Sequence, residues 1–384
     1  MPTGRERIRA ALAHRETDRL PFDLGGTRLT GIHVRAYARL RPALGLQPGE
    51  PRVGDLTQQL AEMEPDVLDA LGCDVRNVAP RAASTYRREF REDGEHRWFI
   101  DEWGVGRRIP LRDGLYYDSF APPLAGEPDD ATIDGFAWPD PADPARYEGM
   151  ADEARQHADE GRAVHVGSIC GGLTEGLFKM RGFEDGYMDL AAEPARAKRV
   201  MERILEIKLA YWERVLPMLG DAVDVVGEAD DLGGQTRPLF SPATYRSLVK
   251  PLHRELFDYL HARTDAKVFF HTCGSVRELI PDLVEVGVDV LNPVQVSAVG
   301  MDTAELKREY GRDLVFWGGG VDTQRVLGRG TPDEVRAEVR RRIADLAPGG
   351  GFVFAAVHNV QPDVPAENIL AMHGAAREWE PIHA

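Results

Sequence analysis

Three cysteines in 384 residues, Cys73, Cys170 and Cys273, are too few and too scattered for a disulfide framework. A reducing cytoplasm is the expected setting, and a cysteine there is free to bind metal. No run of about 18 apolar residues is present, so no membrane span is expected. The first segment, MPTGRERIRAALAH, is amphipathic but lacks the apolar stretch of a secretory signal. Positive charge is in the minority: Lys+Arg 47 against Asp+Glu 63 leaves a net −16. That balance argues against a nucleic-acid or anionic-membrane surface, both of which need a basic face. It leaves room for a small anionic substrate, which needs only a local Arg or Lys. No GxGxxG follows an early strand and no P-loop is present, so the usual nucleotide signatures are missing. There is no internal repeat and no low-complexity tract.

What is present is alternation. From about residue 163 short apolar runs recur: AVHVGSI (163–169), DVVGEAD (224–230), KVFFHTC (267–273), VDVLNPV (288–294), LVFWGGG (314–320) and GFVFAAV (351–357). Amphipathic segments separate them, among them 193–217, 241–263, 275–286 and 331–346. Short apolar strands parted by helical patterns read as βαβ units and a parallel sheet. LPFDLGG (20–26) and CDVRNVA (73–79) supply strands one and two, giving the eight of a (β/α)₈ TIM barrel. The expectation is a single barrel domain over 1–384, with a doubly wound open sheet as the competing fold. Residues 85–150 break the alternation and read as an inserted β-hairpin excursion and surface loop between strands two and three. Its aromatic residues, Tyr86, Phe90, Trp98, Phe99 and Trp103, point to packing against the barrel mouth.

In a barrel the active site lies at the carboxyl ends of the strands. Those ends carry Glu228-Ala-Asp230-Asp231, His271-Thr-Cys273, Asn292-Pro-Val-Gln295, Trp317-Gly-Gly-Gly-Val-Asp322 and His358-Asn359-Val-Gln361. His271 and Cys273 are the sharpest pair, because residues i and i+2 of a strand share a face and imidazole with thiolate suits zinc. Catalytic zinc usually has three protein ligands and one open position, and His358 and Glu228 are the further candidates. The bland alternative is a small buried thiol beside a hydrogen-bonded core histidine, at about even odds for a bare HxC. Glu228 could instead be a general base, and Asp230 a catalytic acid, although three acids in a row more often begin a solvated loop. Gly318 and Gly319 offer close backbone approach to a cofactor or simply a tight turn. Asn292 and Gln295 are cofactor-binding candidates from the end of strand six. Arg28 and Arg181 could meet a substrate carboxylate, with surface placement the commoner fate of each, and Cys170 could lie near the cavity, with a packed thiol the commoner reading.

Several blocks, in order, carry a family resemblance: RERIRAALAHRETDRLPF, GGLTEGLFKMRGFEDGYMDL, ADDLGGQ with LFSPATYRSLVKP, HTCGSVRELIPDLVEVGVDVLNPVQ, FWGGGVDTQ and VHNVQPDVPAENI. Over most of its length the chain resembles the uroporphyrinogen decarboxylase superfamily. Where the decarboxylases carry MRQAGR, this chain has DLGGTRLTG, and it has the HxC that they lack. The methylcobalamin-dependent methyltransferases of the superfamily, including those acting on coenzyme M, carry such an HxC as zinc ligands. Their further ligand is a cysteine in a GCG-like setting, where this chain has Val357-His358-Asn359. The resemblance thus implies zinc on His271 and Cys273 with His358 as third ligand. It implies methyl transfer between methylcobalamin, usually on a partner corrinoid protein, and a small acceptor such as a thiol. The alternative is a decarboxylase of a small carboxylated substrate, with His358 or an Asp as proton donor. A non-catalytic corrinoid or tetrapyrrole carrier is a third reading, and a homodimer is left open.

Overall fold

The computed structural model describes residues 1–381. Seven strands form one parallel sheet: Val75–Val78, Ala163–Gly167, Val225–Ala229, Lys267–His271, Val290–Asn292, Val315–Trp317 and Phe352–Val353. Each neighbours the next in chain order. The sheet curls, and the segment around Phe22 spans the gap between its edges. Phe22 bridges Phe354 in parallel. Phe354 N donates to Pro21 O and Asp23 N to Phe354 O, each at 2.9 Å, while Asp74 N donates to Phe22 O at 2.9 Å. The ring therefore closes as a TIM-like barrel of eight positions, with the first reduced to a single bridge.

Strand alternation sorts the core into two layers. Val75, Ala163, Val225, Phe269, Val290, Val315, Trp317 and Val353 fill the barrel interior. Their neighbours in sequence, such as Val164, Val166, Val226, Val268, Phe270 and Phe316, face the surrounding helices. Four of these helices fall where the amphipathic pattern places them, Pro194–Leu219, Lys250–His261, Ile280–Glu285 and Pro332–Leu346. The helix Gly4–Leu12, started by a Thr3–Glu6 capping box, plugs the amino end of the barrel with Ile8, Ala11 and Leu12. Chemistry is thereby confined to the opposite end.

The excursion between strands two and three is larger than a hairpin. Arg91–Glu92, His96–Ile100, Gly106–Pro110 and Asp118–Ala121 form a four-stranded antiparallel meander. Aromatic contacts knit it, Phe99 on Tyr117 at 5.2 Å between ring centres and Trp98 on Phe120 at 5.9 Å. Tyr117 N donates to Thr57 O at 2.9 Å, tying the meander to the barrel rim. Its Trp103, Val105 and Arg107 enter the wall of the cavity described next.

Candidate metal centre and cavity

A cavity of about 500 Å³ opens at the carboxyl end of the barrel. Its volume falls within the range of small-molecule sites, roughly 300–1,000 Å³. His271 and His358 stand on its wall. His271 ends strand five, in register with Asn292 of strand six. Asn292 Oδ1 lies 2.5 Å from His271 Nδ1, and Asn292 Nδ2 donates to Trp317 O at 2.8 Å. The Asn292 amide is thus held by the backbone of strand seven and fixes the imidazole with Nε2 outward.

Beyond His271 the chain turns sharply. Thr272 Oγ1 accepts from Leu232 N at 3.1 Å, Cys273 N donates to Asp231 Oδ1 at 2.8 Å, and Gly274 N donates to Gln295 Oε1 at 2.7 Å. Gly274 has φ +90, and a Cβ there would lie 2.2 Å from Gly233 O, so only glycine fits. The turn brings Cys273 Sγ to 3.4 Å from His271 Nε2. His358, arriving from strand eight, completes a trio whose donor atoms all lie within 4.8 Å of one another. Among the described residues these three are the only group of this kind.

The separations suit one ion. Zn–S of about 2.3 Å and Zn–N of about 2.0–2.1 Å at a tetrahedral angle put S and N roughly 3.5 Å apart. Burial pushes the Cys273 thiol well above its ordinary range, and the charges of Asp231 and Glu175 push it further. Burial, with His271 second, pushes His358 down to about 4, leaving a neutral imidazole with a free lone pair. A thiol so disfavoured as an anion needs a cation beside it to ionise.

The other candidates separate from this trio. Glu228 lines the cavity but is committed elsewhere: Trp212 Nε1 donates to it at 2.6 Å, Ser168 Oγ at 2.9 Å and Lys208 Nζ at 2.5 Å. It lies outside the ligand cluster. Asp230 is fully buried, accepting from Thr174 N at 3.0 Å and Glu175 N at 2.9 Å at the start of helix Leu173–Arg181, with His253 Nε2 at 3.2 Å. It anchors that helix and is not on the cavity wall. Asn292 and Gln295 brace His271 and the Gly274 turn. Gly318 and Gly319, at φ +91 and +90, form a turn against Asn292 and Val294 and do not line the cavity. Arg181 is buried against Asp189 at 2.6 Å, whereas Arg28 and Cys170 do reach the wall. His165, Asn77 and Lys179 on the wall, and Lys208 behind Glu228, do not stand at the strand ends that the sequence singles out. A histidine inside the apolar run AVHVG, on the inward-facing parity, was the available signal for the first.

The family model described as Uroporphyrinogen decarboxylase (URO-D) matches residues 119–379, a span that includes His165, Glu228, His271, Cys273, Asn292 and His358. This chain belongs to the uroporphyrinogen decarboxylase (URO-D) family. Two URO-D relatives are similar to it at 25% identity. The uroporphyrinogen decarboxylase of Alkalilimnicola ehrlichii aligns over 290 residues, 73% of each chain. That of Thioalkalivibrio sulfidiphilus aligns over 276, 67% of this chain and 72% of its own. A methyltransferase from Methanosarcina mazei shares the fold, with a TM-score of 0.65 over 98% of this chain and 99% of that one at 17% identity.

Proposed function

We propose that this URO-D-family enzyme is a zinc-dependent methyltransferase of a corrinoid system, moving a methyl group between methylcobalamin and a small acceptor, a thiol or similar. The observation that carries the reading is the convergence of the His271, Cys273 and His358 donor atoms to within 4.8 Å of one another, with His271 and His358 on the cavity wall and His271 oriented by Asn292. Bound there, zinc would act as a Lewis acid that stabilises an acceptor thiolate near neutral pH. The chain's own part is positional. Asn292 leaves His271 Nε2 free for the ion, and an outer partner of this kind typically matters about 10–100-fold in metal affinity. Asp231 and Gln295 hold the turn that presents Cys273. The cavity mouth, bordered by the meander, is where a partner corrinoid protein would present its methyl group.

The test is metal analysis paired with methyl transfer from methylcobalamin to thiols. About one zinc per chain is expected, lost in Cys273→Ala and weakened in His358→Ala. Full activity after exhaustive chelation, with Cys273→Ala as active as the parent, contradicts the reading. The second reading, decarboxylation of a small carboxylated substrate with His358 as proton donor, is favoured by the names of the two curated relatives. It predicts carbon dioxide release that survives chelation, and a His358→Ala enzyme with metal content unchanged.

A further inference from the structure

Four carboxylates stand on the cavity wall, Asp55, Glu175, Glu228 and Asp231, and they are not alike. Asp55 is paired with Arg28, Glu175 with Lys179 at 3.4 Å and Glu228 with Lys208 at 2.5 Å. Their side chains are 5%, 26% and 1% exposed. Asp231, just past the end of strand four, is 42% exposed and has no lysine or arginine in salt-bridge range among the described residues. The basic nitrogen near it is His271 Nε2, 3.8 Å from Oδ1. That nitrogen is the one Asn292 leaves free for the ion. Oδ1 also accepts from Cys273 N at 2.8 Å. The most open carboxylate of the wall therefore stands beside the metal trio, without a side-chain cation.

The cations of the wall are engaged elsewhere. Arg28, Lys179 and Arg107 line the cavity. Arg28 holds Asp55, Lys179 holds Glu175, and Arg107 holds Asp101, which stands behind the wall, at 2.8 Å. The proposed reaction sharpens the imbalance at Asp231. A divalent ion, the Cys273 thiolate and an acceptor thiolate together carry no net charge, so the Asp231 charge is left over. With the ion absent, no lysine or arginine offsets it either. A concave wall of low dielectric focuses the field of such a charge onto whatever enters.

We infer that the acceptor taken by this cavity is a cationic thiol, with its positive charge on the carbon chain next to the sulfur, and that Asp231 selects it. The inference rests on the proposed methyl transfer to a thiol and names the class of that acceptor.

Three thiols on the same two-carbon chain, differing in end charge, serve as probes: thiocholine, 2-mercaptoethanol and 2-mercaptoethanesulfonate. The quaternary nitrogen of thiocholine has no lone pair, so it cannot itself coordinate metal. Binding to the purified full chain is measured by calorimetry and ligand-observed NMR, before and after exhaustive chelation. Thiocholine should bind about fivefold tighter than mercaptoethanol, the upper end of what a partly exposed ion pair supplies, and the sulfonate should bind most weakly. The gap should shrink as salt is raised. Asp231→Asn, whose carbonyl oxygen can still accept from Cys273 N, should erase the gap, and Asp231→Glu, which keeps the charge, should retain part of it. A role confined to holding the Cys273 turn predicts no discrimination by charge in the parent. Equal binding of the three thiols, tightest binding of the sulfonate, no measurable binding of thiocholine, or a gap untouched by Asp231→Asn overturns the inference. Chelation separates this result from the zinc reading. If an ion anchors the sulfur, all three thiols weaken together on chelation and keep their order. If none weakens, the zinc reading fails while the order still reports on Asp231.

Discussion

The two ends of this barrel hold their buried ionisable groups differently. At the amino end every buried carboxylate is met. Asp74 accepts from Arg19 at 2.6 and 2.7 Å and from Phe22 N at 3.0 Å, with Arg7 at 3.7 Å. Asp224 accepts from Arg5 at 3.0 Å, Arg9 at 2.6 Å and Val164 N at 2.9 Å. At the carboxyl end His165 Nε2 has no partner, the Cys273 thiol is driven up by burial and neighbouring carboxylates, and His358 is driven down. The amino end is built for stability, since Asp74 and Asp224 are met by arginines that tie the plugging helix to the strand starts. The carboxyl end keeps Glu228 and Asp230 satisfied but holds His165, Cys273 and His358 with strongly shifted protonation, and such perturbed clusters are candidates for function.

The contrast can be broken from either side. The largest effect is expected from Cys273→Ala, which should reduce methyl transfer by more than about a hundredfold, as loss of one essential catalytic group commonly does. Its melting temperature should stay near the parent's, because Cys273 lies on the turn past strand five and belongs to neither hydrophobic core cluster; calorimetry of the two proteins checks this. Asp74→Ala should do the reverse. It strands two arginines at a buried position, at roughly 3 kcal/mol, read as a lower urea midpoint, while zinc content per folded chain is unchanged. An equal loss of metal would deny that the two ends are independent.

Asn292→Ala should lower zinc affinity about 10–100-fold, measured by competition with a chromogenic chelator, with little change in urea midpoint. The smallest effect concerns pH. His165 falls from an ordinary 6.5 to about 4 in the fold. Between those values the unfolded chain binds more protons, so this group contributes stability that is present above 6.5 and lost as pH falls toward 4. Asp23, raised from 3.8 to about 6 by burial, works the other way: the folded chain holds the extra proton and stability is lost as pH rises from 3.8 through 6. Urea midpoints from pH 4 to 7 should therefore depend less steeply on pH in the parent than in Asp23→Asn, where Asp23 no longer opposes the contributions of His165 and His358, both pushed down to about 4. Their difference amounts to on the order of 2 kcal/mol across the window.

Much of this was legible before the structure. The strand-and-helix alternation survives because most of the parallel strands are apolar on both faces, as in VVG and KVFF, and cannot be mistaken for a surface. His271 and Cys273 were legible for the same reason, the period of two at the end of such a strand. Glu228 could not be placed from the chain alone. Its partner Lys208 lies 20 residues upstream on a different element, and only the packing of helix Pro194–Leu219 on strand four brings them together. Asn292 and Gln295 read as ligand-binding groups in the sequence because their polarity is visible there and their backbone and imidazole partners are not. The meander reads as little more than a hairpin because Arg91–Glu92 and Asp118–Ala121 are short and mostly polar, and paired strands of that kind show weak alternation.

The central claim is that the carboxyl end is completed by an ion held on one sulfur and two imidazoles. X-ray absorption at the zinc edge of the purified, unreconstituted protein tests it most directly. The account predicts near-stoichiometric zinc with one sulfur at about 2.3 Å and imidazole nitrogens at about 2.0–2.1 Å, the sulfur shell vanishing in Cys273→Ser. A spectrum with no sulfur neighbour, or a fully active protein without bound metal, would contradict it.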